Sequence, residues 1–502
     1  MITLERVTTN QFKKKMPDQQ TTPVSEEEPR PVNTNVQVAG GESVQPIGQP
    51  RGSVLTPQPP SPPTKKRFPK TTLLIVAFVL IFTVLVVLAI RFRSSGVNIF
   101  GESGEIIWWG VTYDKSAVEP LIAEYKEENP RVKITYIKQS PQDYRERLTN
   151  ALARGVGPDI FEFHNSWVPM FKNDLDVLPS SVMDKQEFAS TFYSVITSDL
   201  TTEDGIVGIP LGYDAITLFI NEDIFAAGGK TPPSTWDEFR QTALDLTTKD
   251  NRQVVIQSGT AMGRTENIDH WQDILALMMY QNRVNLANPT GVLAEDALEF
   301  YTVFSTKDKI WSETFPSSTA AFANGKVAMY FGPSWRANEI NSMNPGLRFK
   351  TVPLPQLRKD DPTEPDMSYA TYWVEGVWAR SANRELAWEF LDYLVSSNSL
   401  EKLYENTKSA QLVGKPYPRL DMNNLLIRDS ILGSVVALAP NAQSWYLADE
   451  TFDGATGINS QVSEVFRVAV DAVNKGRRVD KELEKVATEI VKVLSKFGIR
   501  FR

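Results

Sequence analysis

From residue 105 onward, short apolar runs and amphipathic stretches follow one another in a regular order. "EIIWWG" (105–110) is an apolar run that ends on a glycine, and "RVKITYI" (131–137) alternates with the period of two of a strand. Between them, "SAVEPLIAEYKEEN" (116–129) places Val118, Leu121, Ile122 and Tyr125 on one helical face. "QDYRERLTNALARG" (142–155) repeats the pattern with Tyr144, Leu148 and Leu152, and Gly155 supplies the stop. "PDIFEF" (158–163) then reads as a third strand. This β-α-β-α-β order predicts an α/β fold with a parallel sheet covered by helices. Sheets of that kind bind ligands beyond the carboxyl ends of their strands, so the loops after Trp109 and Phe163 are expected to face a cleft. "HNSWVPMF" also opens a helix, with Asn165 or Ser166 as the cap and Pro169 in the first turn.

The same patterning continues further along. In "PPSTWDEF", Ser234 or Thr235 caps a helix whose positive end is complemented by Asp237 and Glu238. "GKVAMYFGPSW" is a strand-like run that stops at Gly332-Pro333 and leaves Trp335 on the following loop. "NRELAWEFLDYL" (383–394) sets Trp388 on a packing face with Leu391. A final helix carries Leu483, Val486, Ile490, Val491 and Leu494 at helical spacing.

The N-terminal end breaks the rhythm. "TTLLIVAFVLIFTVLVVLAI" (71–90) has no charge and no polar stripe. At about 1.5 Å per residue it spans roughly 30 Å, one hydrocarbon core. It is too long for a signal peptide, and no small-x-small cleavage pattern follows it. Lys65, Lys66, Arg67 and Lys70 outnumber Arg91 and Arg93, so the N-terminus is expected in the cytoplasm and everything after about residue 95 outside. Residues 1–70, Pro-rich in "TPQPPSPPTKKRFPK" (56–70), read as a disordered tail.

Composition narrows the chemistry. The chain has 502 residues, more than one core usually covers, and a formal charge of −8, which argues against nucleic acid as partner. With no cysteine, disulfides, thiolate nucleophiles and cysteine-bound metal centres are excluded.

"GIPLGYDAITLFINEDIFAAGGKTPPSTWDEF" (208–239), "AFANGKVAMYFGPSWRANEI" (321–340), "NRELAWEFLDYL", "NAQSWY" (441–446) and "NKGRRVDKELEKVATEI" (474–490) occur in a characteristic order. In that order and spacing they resemble the extracellular solute-binding proteins of ABC importers, the family that includes maltodextrin-binding protein. The resemblance implies two hinged α/β lobes that close on a ligand in the cleft between them. The chain would cross near 210–214, 352–355 and 400, giving lobe one as 104–211 plus 355–400 and lobe two as 212–354 plus 401–497, after a tail (1–70) and a transmembrane helix (71–91). It also implies a monomeric receptor for a small-molecule solute, a carbohydrate or similar polar compound, which docks on ABC permease subunits and needs neither cofactor nor metal.

Sugars present apolar ring faces to aromatic side chains and hydroxyls to carboxylates and amides. By resemblance, Trp445-Tyr446 matches an aromatic pair that stacks on sugar rings and Trp335 another such position, while Glu162, Asn165 and Trp167 come from the loop after the third strand. The family's carboxylate there is an amide, Asn165, which argues against a maltodextrin-type hydroxyl clamp. Trp109, Tyr213, Asp214 and Trp373 join the candidates because each follows a strand or a crossing.

Rival readings have less behind them. Glu162 and His164 point the same way along a strand, but His270 belongs to the other lobe and no HExxH or EF-hand pattern occurs. A hydrogen-bonded loop histidine is therefore expected at 164. A glycosidase could use two carboxylates across the cleft, yet no catalytic spacing supports one. A sensor or adhesion domain of the same fold stays open.

Overall fold

The computed structural model of the protein describes residues 103–359, 361 and 363–500, so the expected tail and membrane helix lie outside the described residues. Among the described residues no helix is long and apolar enough to cross a membrane. In chain order the strands are β1 (Gly104–Gly110), β2 (Val132–Lys138), β3 (Ile160–His164), β4 (Ile216–Asn221), β5 (Thr248–Lys249) and β6 (Val255–Thr260). There follow β7 (Val327–Pro333), β8 (Phe349–Val352), β9 (Ser368–Tyr369), β10 (Trp373–Val377) and β11 (Ala442–Gln443).

The first sheet has the order β10-β3-β1-β2. As the hydropathy pattern predicts, β1 pairs in parallel with β2 and β3, joined by the helices Lys115–Glu128 and Tyr144–Ala153. The fourth strand, β10, comes from far along the chain and runs antiparallel, setting Trp373 opposite His164 and Glu375 opposite Glu162. Trp108, Tyr125 and Phe390 pack edge-to-face between this sheet and the helices Lys115–Glu128 and Arg384–Val395. Trp388 is fully buried beside them and its indole donates to Asp176 at 2.9 Å, the packing role expected of it.

The second sheet has the order β5-β6-β7-β4-β8, with β4 antiparallel to both neighbours and β6 parallel to β7. Thr235 caps the helix Trp236–Asp245 in a reciprocal capping box with Glu238, and Ser234 donates to the same carboxylate. The last helix, Val479–Lys496, buries Leu483, Val486, Ile490 and Leu494 against the helix Ile458–Asn474. Val491 is the exception, half exposed on the outer face.

Between the sheets the chain passes along three segments that lie side by side. Ile209 bridges Glu375 and Ala215 bridges Ala370, both antiparallel, and the Tyr213 amide donates to the Pro416 carbonyl at 2.9 Å. One of these segments runs through 209–215. Gln356 pairs with Ser234 and Trp236 beside the second sheet, and the next segment runs through 368–373. The helix Ser397–Lys408 packs on Lys115–Glu128, with Lys402 paired to Glu124 at 2.6 Å, and the third segment, 411–417, follows it.

Because Trp388 fills the core behind the first sheet, Trp388→Ala is expected to cost about 3–5 kcal/mol of stability. The check is the shift in urea midpoint at constant slope.

Candidate functional site

Where the crossing segments meet the strand ends, a cavity of about 380 Å³ opens. Its wall draws on the loop after β1 (Val111 to Tyr113), Glu162, the crossings (Tyr213, Asp214, Tyr372, Trp373, Lys415), the turn after β7 (Ser334, Trp335) and the loop at 449–452. The volume is that of a small-molecule site.

Glu162 projects from β3 and is almost fully buried. Its carboxylate accepts from the amides of Val111 and Thr112, the latter at 2.8 Å, and from the Thr112 hydroxyl. Those bonds fold the end of β1 over β3 and leave the carboxylate at the cavity floor. Across the strand pair lies Glu375, which is also buried and has one oxygen without a hydrogen-bond partner. Burial, and then the nearby Glu162 charge, push the Glu375 carboxyl well above the usual carboxylate range, so it is held protonated.

Asp214 organises the opposite wall. Its carboxylate accepts from the amides of Ala215 (2.8 Å) and Ser334 (2.9 Å), from the Ser334 hydroxyl (2.8 Å) and from the Trp335 amide (3.3 Å). One side chain thus ties the first crossing to the turn that presents Trp335. Burial outweighs these bonds and pushes its carboxyl up to about 6.

Behind Trp335 runs a buried polar chain. The Arg336 guanidinium lies 4.3 Å from the Trp335 ring and donates to His270 Nε2 at 2.9 Å, to Glu450 at 3.0 Å and to Glu339. Since Nε2 accepts, Nδ1 carries the proton and donates to Asp273 at 3.1 Å. Burial, with help from the Arg336 charge, keeps His270 neutral.

Five of the ten candidates from the sequence line this cavity: Glu162, Tyr213, Asp214, Trp335 and Trp373. The other five lie elsewhere. Asn165 is spent joining β3 to the crossing, donating to Asp199 at 2.9 Å and pairing its backbone with Tyr372. Trp167 is fully buried behind Trp373, 5.4 Å away, in a stack with Phe171. Trp109 is half-buried against the core of the first sheet. Trp445 packs on Phe466, and Tyr369 and Asn459 pin the backbone carbonyls of Trp445 and Tyr446. A polar loop around two aromatics resembles a binding loop in sequence, but here it is fixed from below.

His164 is a hydrogen-bonded neighbour, as the sequence suggests, with Ser166 and Thr371 hydroxyls at 2.7 and 3.0 Å. Burial pushes its pKa down to about 3. It also caps the turn Asn165–Trp167 by accepting from the Ser166 amide, in place of the expected Asn165 or Ser166 cap. Among the described residues no group of three or more His, Asp or Glu side chains is placed to hold a metal ion.

Sequence reasoning passed over Tyr113, Tyr372, Lys415, Glu450 and Phe452. Only Lys415 had a local signal, a lone cation between Gly414 and Pro416 in a turn-rich stretch.

The raised Asp214 pKa carries a sign. The folded state holds the proton up to about pH 6, whereas the free carboxyl releases it near 3.8, so this contribution is present at low pH and lost as pH rises through 6. On going from pH 7.5 to 5 the unaltered chain is expected to gain roughly 1–1.5 kcal/mol relative to Asp214→Asn. Asp214→Asn, which cannot accept from all four donors, should also be less stable at both pH values. Urea titrations at the two pH values check both points.

The chain matches the bacterial extracellular solute-binding protein family over residues 120–410. A Brucella abortus protein named for binding is 22% identical over 383 residues, covering 72% of this chain and 90% of that one. The diacetylchitobiose binding protein DasA of Streptomyces coelicolor is 22% identical over 291 residues, 55% of this chain and 65% of its own. Among solved structures, a cyclo/maltodextrin-binding protein complexed with maltotetraose superposes with a TM-score of 0.62 at 15% identity, covering 79% of this chain and 98% of that one. With the α/β architecture and the cavity at the crossings, these matches establish that the chain belongs to the bacterial extracellular solute-binding proteins, which bind solutes and are not enzymes.

Proposed function

We propose that this protein is a membrane-anchored receptor that binds an oligosaccharide or a similar polar solute in the cavity at the crossings and delivers it to ABC permease subunits. The observation that carries this reading is the cavity wall itself. Trp335 and Trp373, each half-buried, offer ring faces, and Tyr113, Tyr213 and Tyr372 frame them. Glu162, Asp449 and Glu450 supply acceptors for hydroxyls. Apolar faces beside convergent carboxylates are what a sugar ring requires. The sugar ligands named for DasA and the cyclo/maltodextrin-binding protein point to the same class.

The three crossings between the sheets support hinge closure as the motion. The lobes would be the bodies built on the two sheets, moving about the three crossings. The apolar run at 71–90 and its flanking charges support the anchor and an outer-face binding domain.

Titrating the full chain with neutral oligosaccharides, while following tryptophan fluorescence and thermal midpoint, tests the reading. A binding sugar at 100 times its Kd should add about 2.7 kcal/mol of apparent stability. Trp335→Ala and Trp373→Ala should each weaken it at least tenfold, and Trp445→Ala much less. If peptides or polyamines shift the midpoint and no sugar does, the carbohydrate assignment fails. For the anchor, protease added outside intact cells should degrade the binding domain and spare the tail; the opposite pattern would refute the topology.

A further inference from the structure

Lys415 is the one cation lining the cavity with neither a carboxylate within ion-pair distance nor a hydrogen-bond acceptor among the described residues. Its ammonium lies 4.0 Å from the centre of the Tyr113 ring. Its stem runs against Gly212, where an added Cβ would come within 3.0 Å of Lys415 Cδ and 2.9 Å of the Tyr113 hydroxyl oxygen. The side chain is therefore held in place from the backbone side while its N–H groups have no protein acceptor.

The carboxylates that line the cavity with it already hold other partners, while Glu375, opposite Glu162 on the neighbouring strand, keeps one oxygen without a hydrogen-bond partner. Glu162 takes Val111 and Thr112, Asp214 takes Ser334 and its neighbours, and Glu339 and Glu450 share Arg336. Asp449 accepts from the His270 amide and from Gln272. Burial also pushes the Lys415 pKa down, and the charges of Glu162 and Glu375 offset that only in part. On the Glu162 carboxylate, Oε1 accepts only from the Thr112 hydroxyl and keeps room for one more donor.

We propose that Lys415 seats a hydroxyl of a neutral sugar, donating to its oxygen while the same ligand donates to Glu162. This deepens the sugar-binding reading and rests on it. The ligand class follows from charge: Glu162, Asp214, Glu339, Asp449 and Glu450 line the wall against Lys415 and the Arg336 behind Trp335. A uronate carboxylate would meet more repulsion than a single ammonium relieves.

The test uses calorimetry on the full chain with maltotriose, N,N′-diacetylchitobiose, mannobiose and digalacturonate. For whichever neutral sugar binds the unaltered chain, Lys415→Met should weaken binding at least tenfold while the ligand-free thermal midpoint stays level or rises. Gly212→Ala, which pushes on the stem, should weaken the same sugar. Digalacturonate should bind at least tenfold more weakly than that sugar. A Lys415→Met protein with unchanged affinity, or with a lowered midpoint, would make Lys415 a structural counter-ion to Glu162 and overturn the inference. So would tighter binding of digalacturonate. If no neutral sugar binds the unaltered chain, the sugar reading fails first and takes this inference with it.

Discussion

A backbone that leaves one sheet for another must carry its amide and carbonyl groups through the interior, where an unpaired one is costly. Here the crossings solve this by pairing with each other. Ile209 bridges Glu375, Ala215 bridges Ala370, the Thr371 amide donates to the Asp214 carbonyl and the Tyr213 amide to Pro416. Because these segments must lie together, the side chains they bear converge as well. Tyr213, Asp214, Tyr372, Trp373 and Lys415 reach one cavity for that reason. The strand ends and the turn after β7 complete it.

The cavity wall is largely aromatic and apolar, and the acids set into it are not loosely held. Its acids are bound from behind by backbone amides, hydroxyls or Arg336, which fixes their oxygens toward the space while meeting much of their desolvation. Glu375 avoids the cost differently, by keeping its proton beside Glu162. The loop at 449–457 also ties the two bodies together. Its Glu450 and Phe452 both adopt left-handed backbone, and Arg145 from the first sheet's helix donates to the Asp453 carbonyl and the Thr456 hydroxyl. Two residues in left-handed backbone thus line the cavity on a loop held from the far body.

Much of this was written locally in the sequence. The parallel β1, β2 and β3, their helices, the Thr235 capping box and the buried face of the last helix all follow from short-range periodicity and caps. What was not legible depends on contacts between distant residues. Nothing near residue 373 announces that β10 will join β3 from more than two hundred residues away, and that pairing is what makes Trp373 a cavity residue and Trp167 its support. For the same reason nothing near residue 400 announces that the helix Ser397–Lys408 packs on Lys115–Glu128. Trp445 lies in a polar loop that suggests a ligand contact, and its half-buried ring rests on Phe466 from another helix.

The proposed sugar-driven closure of the two bodies about the crossings can be tested directly, because the chain has no native cysteine to interfere with labelling. Spin labels at Glu127→Cys and Asp296→Cys, both on exposed helix faces on the first- and second-sheet sides, would report the distance between the bodies. Pulsed EPR with and without a saturating neutral sugar should show the distance distribution shorten and narrow on binding. A distribution that does not change at saturation would contradict hinge closure as the way this protein binds its solute.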